Sequence, residues 1–385
     1  MRHQNSVFHT LLKHVPWAVF EILVAEHGAD ARVRRLPTKS HLLALIYAQL
    51  SGAASLRELV DALSSHAARL YHVGARPPCR STLADANAKR PHAVFSGLCE
   101  ALMRQAHRGL RRAVGEAIYL IDSTSLPLTA RSAEWGRFSA MACGAKLHVI
   151  YDANRGGTPI YASVSTAKVN DITVAQQMPI EPGATYVFDL GYYDYRWWAK
   201  LDAAQCRIVT RIKRNTPLRQ VEERAVPKAS PVLSDRIGFL PERQARSRQN
   251  PMQDAVREVR VKTDTGKELR ILSNDLDATA EEIAALYKRR WEIELFFRWI
   301  KQTLKIKRFL GTSENAIRIQ VAAALIAFLL LRLAQATQTR IQSPLAFARL
   351  IRANLMHRRG LDRLLKNPDP VPPDKRQLAL QWSPA

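Results

Sequence analysis

Between residues 116 and 214 the chain repeats one kind of segment often enough to restrict its fold to a short menu. "EAIYLIDSTSLPL", "GAKLHVIYDANRGG" and "TPIYASVSTAKVND" are three strand-like runs in succession, with turn chemistry from Asn154 to Gly157 between the last two. "DITVAQQMP" reads as a short helix, "ATYVFDLGYYD" as a fourth strand, "DYRWWAKLDAAQ" as a helix and "CRIVTRIKRN" as a fifth strand. Three consecutive strands followed by alternating helix and strand imply an α/β (α+β) fold: a mixed sheet with helices on its faces.

The segments on either side differ in kind. Residues 1–115 carry apolar residues every three to four positions in "KSHLLALIYAQLSG" and "SLRELVDALSSHAARLYHVG", the mark of helices. Ser55 stands three residues before Glu58, a capping-box pattern. Residues 1–120 hold 16 Lys/Arg against 8 Asp/Glu, which suits a small helical DNA-binding module with Arg57, Arg80, Lys89 and Arg90 among its cations. Residues 215–272 are polar, Arg- and Pro-rich, and "REVRVKTDTGKELRILSND" reads as a β-hairpin, so this part is a β-rich insertion. The expected organisation is a helical N-terminal domain over 1–115, a mixed-sheet domain over 116–335 containing that insertion, and a basic helical segment and tail over 336–385.

Charge narrows the partner. The net charge of +24 over 385 residues lies in folded-looking segments rather than in a tail, and each phosphate neutralised on a polyanion releases counterions. A nucleic acid is therefore the expected partner, with a ribosomal or merely solvated basic surface as the alternative. The four cysteines, Cys79, Cys99, Cys143 and Cys206, lack metal-site spacing and read as reduced thiols of a cytoplasmic protein. Glu21 interrupts the apolar part of the N-terminus, which excludes a signal peptide, and the apolar run 321–331 is too short to span a bilayer. No membrane association is expected.

The chemistry gathers around "YKRRWEIELFFRWIKQTLK", residues 287–305. At about 100° per residue, Tyr287, Arg290, Glu294 and Lys301 fall within an arc of about 60°, while Glu292 points roughly 160° from Glu294. One polar stripe thus runs along a helix otherwise apolar or basic. Asp122 closes the apolar run "IYLID", and Asp189 closes "TYVFD" with Gly191 just beyond it. Taken singly, each acid reads as a turn residue or as half of a helix ion pair, Glu294 with Arg290 or Arg298. Taken together at one sheet end, three carboxylates would repel, and a hard divalent cation, Mg²⁺ or Mn²⁺, removes the repulsion. Two such ions suit phosphodiester chemistry.

These residues carry a resemblance. The pattern Y-x2-R-x3-E-x6-K at Tyr287, Arg290, Glu294 and Lys301 is similar to the Y-R-E-K signature of DDE transposases of bacterial insertion sequences. "LIDSTSLPL" looks like the region of that family's first aspartate and "VFDLGYYD" like its second, and residues 5–335 resemble the family overall. The resemblance implies a ribonuclease-H-like core with a β insertion ahead of the glutamate helix. It implies Asp122, Asp189 and Glu294 as catalytic and metal-binding residues with two Mg²⁺ or Mn²⁺ ions. It further implies Tyr287, Arg290 and Lys301, with Arg298 nearby, at transposon-end DNA, and a homodimer on DNA in a bacterial cytoplasm, associated with the nucleoid. The implied function is end cleavage at terminal inverted repeats followed by strand transfer. A nuclease or resolvase without strand transfer, or a non-catalytic DNA-binding relic, are the alternatives.

Other polar and aromatic residues are assigned to structure. Asp152 and Asp171 lie beside turns and read as turn caps, whereas Asp194 and Glu292 read as surface residues or as support around the site. Lys146 and His148 share one strand face and are left open, between an approach to DNA or the metal site and packing at the core or edge. Tyr192, Tyr193, Trp197 and Trp198 are assigned to helix packing rather than to base stacking.

Overall fold

The computed structural model describes residues 6–110, 116–154, 156–226, 230–245, 248–304, 309–358, 364 and 365. Its centre is strand β1 (Ile118–Leu128), flanked by β2 (Cys143–Asp152) and β3 (Thr158–Thr166) in an antiparallel meander. On the other side β1 pairs in parallel with β4 (Thr185–Val187), and β4 in parallel with β5 (Arg207–Arg211). Strands β1 to β3 can be joined by tight turns because they run antiparallel. The parallel steps need crossovers, and the helices Asp171–Ala175 and Tyr195–Ala203 occupy these. The order β3-β2-β1-β4-β5 is the ribonuclease-H-like one, as expected.

The insertion extends this sheet. After β5 come β6 (Arg219–Arg224), β7 (Val232–Phe239), the small pair β8 (Arg243–Ala245) and β9 (Arg248–Gln249), then β10 (Val256–Lys262) and β11 (Glu268–Ser273). The expected hairpin is β10–β11, closed where Gly266 adopts φ +79° and donates to the Thr263 carbonyl at 2.8 Å. β11 adds antiparallel to β5, giving a nine-stranded order β3-β2-β1-β4-β5-β11-β10-β7-β6. A strand edge with unpaired amides is a template for further pairing, and here the insertion takes it.

Two cores lie on opposite faces of the sheet. On one, Phe188, Tyr192, Trp197 and Trp198 pack as an aromatic cluster, with Trp198 fully buried. Their assignment to packing holds, and Tyr193, half-buried, stacks edge-on against Trp198 at the margin of the same core. On the other face the helices Thr38–Ser51, His92–Leu110 and Glu314–Ala336 join Leu120, Leu126, Leu147 and Val149 of the sheet in one continuous core. The Glu314–Ala336 helix is apolar on all sides and long enough to cross a membrane, but 89% of its most apolar window is buried inside the protein. A helix hydrophobic all round belongs in an interior, and its neighbours supply one. The N-terminal helices thus share a core with the sheet. Ser55 caps the Leu56–Ser65 helix through the Glu58 amide at 3.1 Å, and Glu58 reaches back to the Ala54 amide at 2.8 Å, a close variant of the expected box.

Half of the basic segment 336–385 lies outside the described residues; its described part includes the helix Pro344–Asn354. All four cysteines are free thiols.

Candidate active site

The two aspartates occupy matching places. The parallel pairing of β1 with β4 sets Ile118 opposite Thr185 and Leu120 opposite Val187. Asp122 and Asp189 each stand two residues beyond that last pair, so both project where the two strands part. Asp122 does not end its strand, contrary to the reading of "IYLID": β1 runs on to Leu128, paired with β2, and Asp122 itself faces Val149. What ends at this point is the parallel neighbour. Asp189 turns the chain after β4, its Oδ1 accepting the Gly191 N–H at 2.8 Å. A Cβ on Gly191 would lie 3.0 Å from Asp189 Oδ1 and 3.5 Å from Asp171 Oδ2, so a larger residue there would crowd the Asp189 carboxylate.

The signature stretch is two successive helices rather than one. Ala280–Arg289 ends at Arg290, and Trp291–Thr303 starts after it, with Arg290 still in right-handed helical conformation. The stripe survives because that residue keeps helical angles. Glu294 stands in the first turn of the second helix, where the helix dipole favours an acid. Arg290 binds both acids, Nη2 donating to Glu294 Oε1 at 2.5 Å and Nη1 lying 3.5 Å from Asp122 Oδ2. Tyr287 is buried, its ring about 6.0 Å from the Arg290 guanidinium. Asp122, Ser123, Glu294, Arg298, Lys301 and Gln302 line an open cleft of about 410 Å³. Arg298 is exposed and lies over the ring of Trp291, itself half exposed.

Electrostatics mark Asp122 as the strained member. Burial pushes its carboxyl up to about 7; the charges of Asp189 and Glu294 push the same way, against the Ser123 amide and Arg290. Burial also raises the Tyr192 hydroxyl well above its ordinary range, with Asp122, Asp171 and Asp189 all adding to the shift. Asp122 therefore feels the charges of both Asp189 and Glu294.

Three further residues belong beside it. Ser123 Oγ donates to Asp171 Oδ1 at 2.9 Å, and Lys146 Nζ reaches the same oxygen at 3.0 Å. His148, paired with Ser123 across the β1–β2 ladder, places its Nδ1 3.7 Å from that oxygen. Asp171, expected to cap a turn, instead bonds Ser123 and Lys146 across the sheet. The signal was the alternation of the strands, which puts Ser123, Lys146 and His148 on one face. Asp194 is a buried N-cap, accepting the Trp197 N–H at 2.9 Å, not a surface residue. Asp152 caps its turn through the Asn154 amide, and Glu292 pairs with Arg289 at 2.8 Å.

Comparison with known proteins identifies the class. The model of the "Transposase DDE domain" family matches residues 114–330, and a "Domain of unknown function (DUF4372)" matches residues 3–76. The chain belongs to the DDE transposase family. It is 40% identical over 301 residues to the "Putative transposase y4zB" of Sinorhizobium fredii, covering 78% of this chain and 83% of that protein. It is 28% identical to the "Probable transposase for insertion sequence element IS5377" of Geobacillus stearothermophilus over 71% of this chain and 72% of that one. Among solved structures, the piggyBac transposase synaptic complex with hairpin DNA superposes with a TM-score of 0.49 at 10% identity, over 92% of this chain and 81% of that one. The transposase is thus of the insertion-sequence type.

The donor set fits a hard divalent cation in kind, being three carboxylates whose mutual repulsion Arg290 relieves only in part. Among the described residues, no three acids, histidines or cysteines already stand close enough to share an ion. Arg290 lies between Asp122 and Glu294, so an ion shared by those two competes with its guanidinium.

Proposed function

We propose that this transposase binds the terminal inverted repeats of its element and carries out metal-dependent strand cleavage and strand transfer with Asp122, Asp189 and Glu294. The observation that carries the reading is the matching placement of Asp122 and Asp189 on adjacent parallel strands, with Asp122 and Glu294 bound to one arginine above a basic cleft. Those three carboxylates would hold Mg²⁺ or Mn²⁺, two ions in the full site. When bound, the ions supply Lewis-acid stabilisation of the attacking and leaving oxygens. Arg298 and Lys301 bind phosphates beside the acids, and Arg290 sets the positions of Asp122 and Glu294 while lying within reach of the same DNA. Tyr287 packs against Arg290 and fixes it. Ser123, hydrogen-bonded to the Asp171 carboxylate that Lys146 also binds, keeps the strand in place at Asp122.

The reaction is two phosphoryl transfers. Water attacks the phosphorus at each transposon end and the 3′-oxygen leaves; that 3′-OH then attacks a target phosphodiester in line. No protein nucleophile is required. The helical N-terminal region over 1–115 holds the ends, and two chains on DNA bring the two ends together in the cytoplasm, at the nucleoid. Arg90 is excluded from the DNA-contacting set because it is buried, while Arg57, Arg80 and Lys89 are exposed.

The test is cleavage of a duplex bearing the element's end, by the full chain, in Mg²⁺ and in Ca²⁺. Cutting in Mg²⁺ alone, lost in Asp122→Asn, Asp189→Asn and Glu294→Gln with end binding intact, is the expected outcome. Retained cutting by any of the three variants removes that residue from the site.

A further inference from the structure

The N-terminal region contains a cleft that nothing so far accounts for. The segment from Gly28 to Leu36 links the helices Trp17–Glu26 and Thr38–Ser51 and carries "RVRR" at Arg32 to Arg35. Together with the helix Arg80–Lys89 it encloses an open groove of about 600 Å³. Arg32, Arg34, Arg35 and Lys89 line it, all exposed, with Thr82 and one acid, Asp85. Among the described residues none of these four cations has an acidic partner within ion-pair distance. Asp30, the nearest acid in sequence, is committed elsewhere: its Oδ1 accepts both the amide and the hydroxyl of Thr38 at 2.7 Å.

The floor is built rather than incidental. Arg90 is 8% exposed and donates to the backbone carbonyls of Ala29 and Leu36, the two ends of the arginine segment, and to Asp30 Oδ1 at 3.3 Å. A buried guanidinium is costly unless its donors are satisfied, and here the two terminal nitrogens brace one loop while Nε is left without a hydrogen-bond partner. Arg32 is held at φ +59°, one of two non-glycine residues in the left-handed region among those described. Such a conformation costs on the order of 1–3 kcal/mol and persists only where the surroundings impose it. The groove is also fixed to the catalytic half. Asn315, in the first turn of the Glu314–Ala336 helix, donates to the carbonyls of Asn87 at 3.0 Å and Arg90 at 2.7 Å, and accepts the His92 amide at 3.3 Å.

We propose that this groove is a binding site for the phosphodiester backbone of duplex DNA, which assigns a function to the region matched by the domain of unknown function. This rests on the transposase reading and deepens it. Charge complementarity selects the occupant: four unneutralised cations on a braced loop and a helix end suit a polyanion, and arginine forks suit phosphate oxygens. Backbone contacts position a duplex without reading its sequence. The groove therefore anchors any duplex, and choice among sequences lies elsewhere.

The experiment uses the full chain without divalent metal, titrating salt against binding to two duplexes of equal length, one bearing the element's end and one scrambled. Arg34→Ala with Arg35→Ala should lower the slope of log affinity against log salt by about two on both duplexes. Lys13→Ala, an exposed cation outside the groove, should lower neither. Both arginine side chains are exposed, so the thermal midpoint should match wild type and separate lost contacts from lost folding. Unchanged slopes in the double variant overturn the assignment, and a loss confined to the end duplex overturns the backbone reading in favour of base contacts. Unchanged slopes together with intact Mg²⁺-dependent cleavage would leave the proposed function standing and the groove wrong. A wild-type chain that binds neither duplex would sink both.

Discussion

Asp122 and Glu258 are two carboxylates on one sheet, and they are treated in opposite ways. Glu258, on β10 of the insertion, is almost wholly buried, yet Arg270 clamps it at 3.0 and 2.6 Å and Arg260 adds a third bond at 2.7 Å. Burial pushes its carboxyl up, and the two arginines outweigh that and hold it below the ordinary value. Its neighbour Arg257 forms a bidentate pair with Asp235 at 2.8 and 2.7 Å. Asp122 keeps one backbone amide and a guanidinium at 3.5 Å, and sits near two further acids. Where this protein needs a carboxylate for structure, it completes the charge pairing. At Asp122 the pairing is left incomplete, and the cation of the proposed function would complete it.

The largest expected effect tests that contrast in function. Asp122→Asn and Glu294→Gln should lower the cleavage rate by about 10³-fold or more, since metal-centred charge stabilisation contributes several kcal/mol to such steps. Glu258→Gln should leave the rate per folded molecule near wild type. A Glu258 variant as inactive as the Asp122 variant would break the comparison.

Stability should show the reverse. Arg270→Ala leaves Glu258 with Arg260 alone and should cost roughly 3 kcal/mol in urea denaturation, the lower end of the range for breaking a buried pair by removing one partner. Arg290→Ala should cost less, because Asp122 can take up a proton and Glu294 borders an open cleft. Equal losses would mean that the Arg290 pairs are structural in the same sense.

The pH dependence follows with a definite sign. Asp122 has a folded value of about 7 against an ordinary 3.8, so folding takes up a proton between those values. Stability from this group therefore falls as pH rises from about 4 to about 7 and is flat above. Glu258 is shifted the other way: its contribution is present above 4.5 and is lost as pH falls through its lowered folded value. Without divalent metal, Asp122→Asn should raise the melting temperature at pH 8 and leave it nearly unchanged at pH 4. The measurement is a melt series across that window, and an effect of equal size at both ends would contradict the burial of Asp122.

Much of this was legible in the sequence, and the exceptions have physical causes. Strand and helix order through residue 211 follows from periodicity; Asp122 and Asp189 stand out because an acid closing an apolar run is costly, and Glu294 because it lies on the one polar stripe of its helix. Two things depend on pairing partners, which no single segment contains. That Asp122 lies mid-strand follows from β4 being shorter than β1, and that the insertion continues the sheet follows from β11 meeting β5. Asp171 was misassigned for the same reason. Its helix start imitates a cap, and only the β1–β2 register brings Ser123 and Lys146 to it.

The smallest expected effect separates cations that serve the DNA from cations that serve the fold. Arg298 and Lys301 line the cleft beside Glu294, whereas Arg257, Arg260 and Arg270 are spent on Asp235 and Glu258. A cation that contacts phosphate displaces counterions from the DNA, and removing it should lower the salt slope of binding by about one. A cation already neutralised inside the protein releases none. In a titration of end DNA in Ca²⁺, Lys301→Ala and Arg298→Ala should therefore each reduce the slope by about one, with little change in the melting temperature. Arg260→Ala should leave the slope alone and lower stability instead, since it removes one of the two arginines holding Glu258. Arg298 carries an added term, because its guanidinium lies over the Trp291 ring at 5.7 Å and its loss also frees that half-exposed aromatic. Affinity should then fall further for Arg298→Ala than its slope alone accounts for, while Lys301→Ala, a point charge, should change affinity and slope together. Unchanged slopes for both cleft variants would place the phosphates elsewhere and leave Asp122, Asp189 and Glu294 without a bound strand to act on.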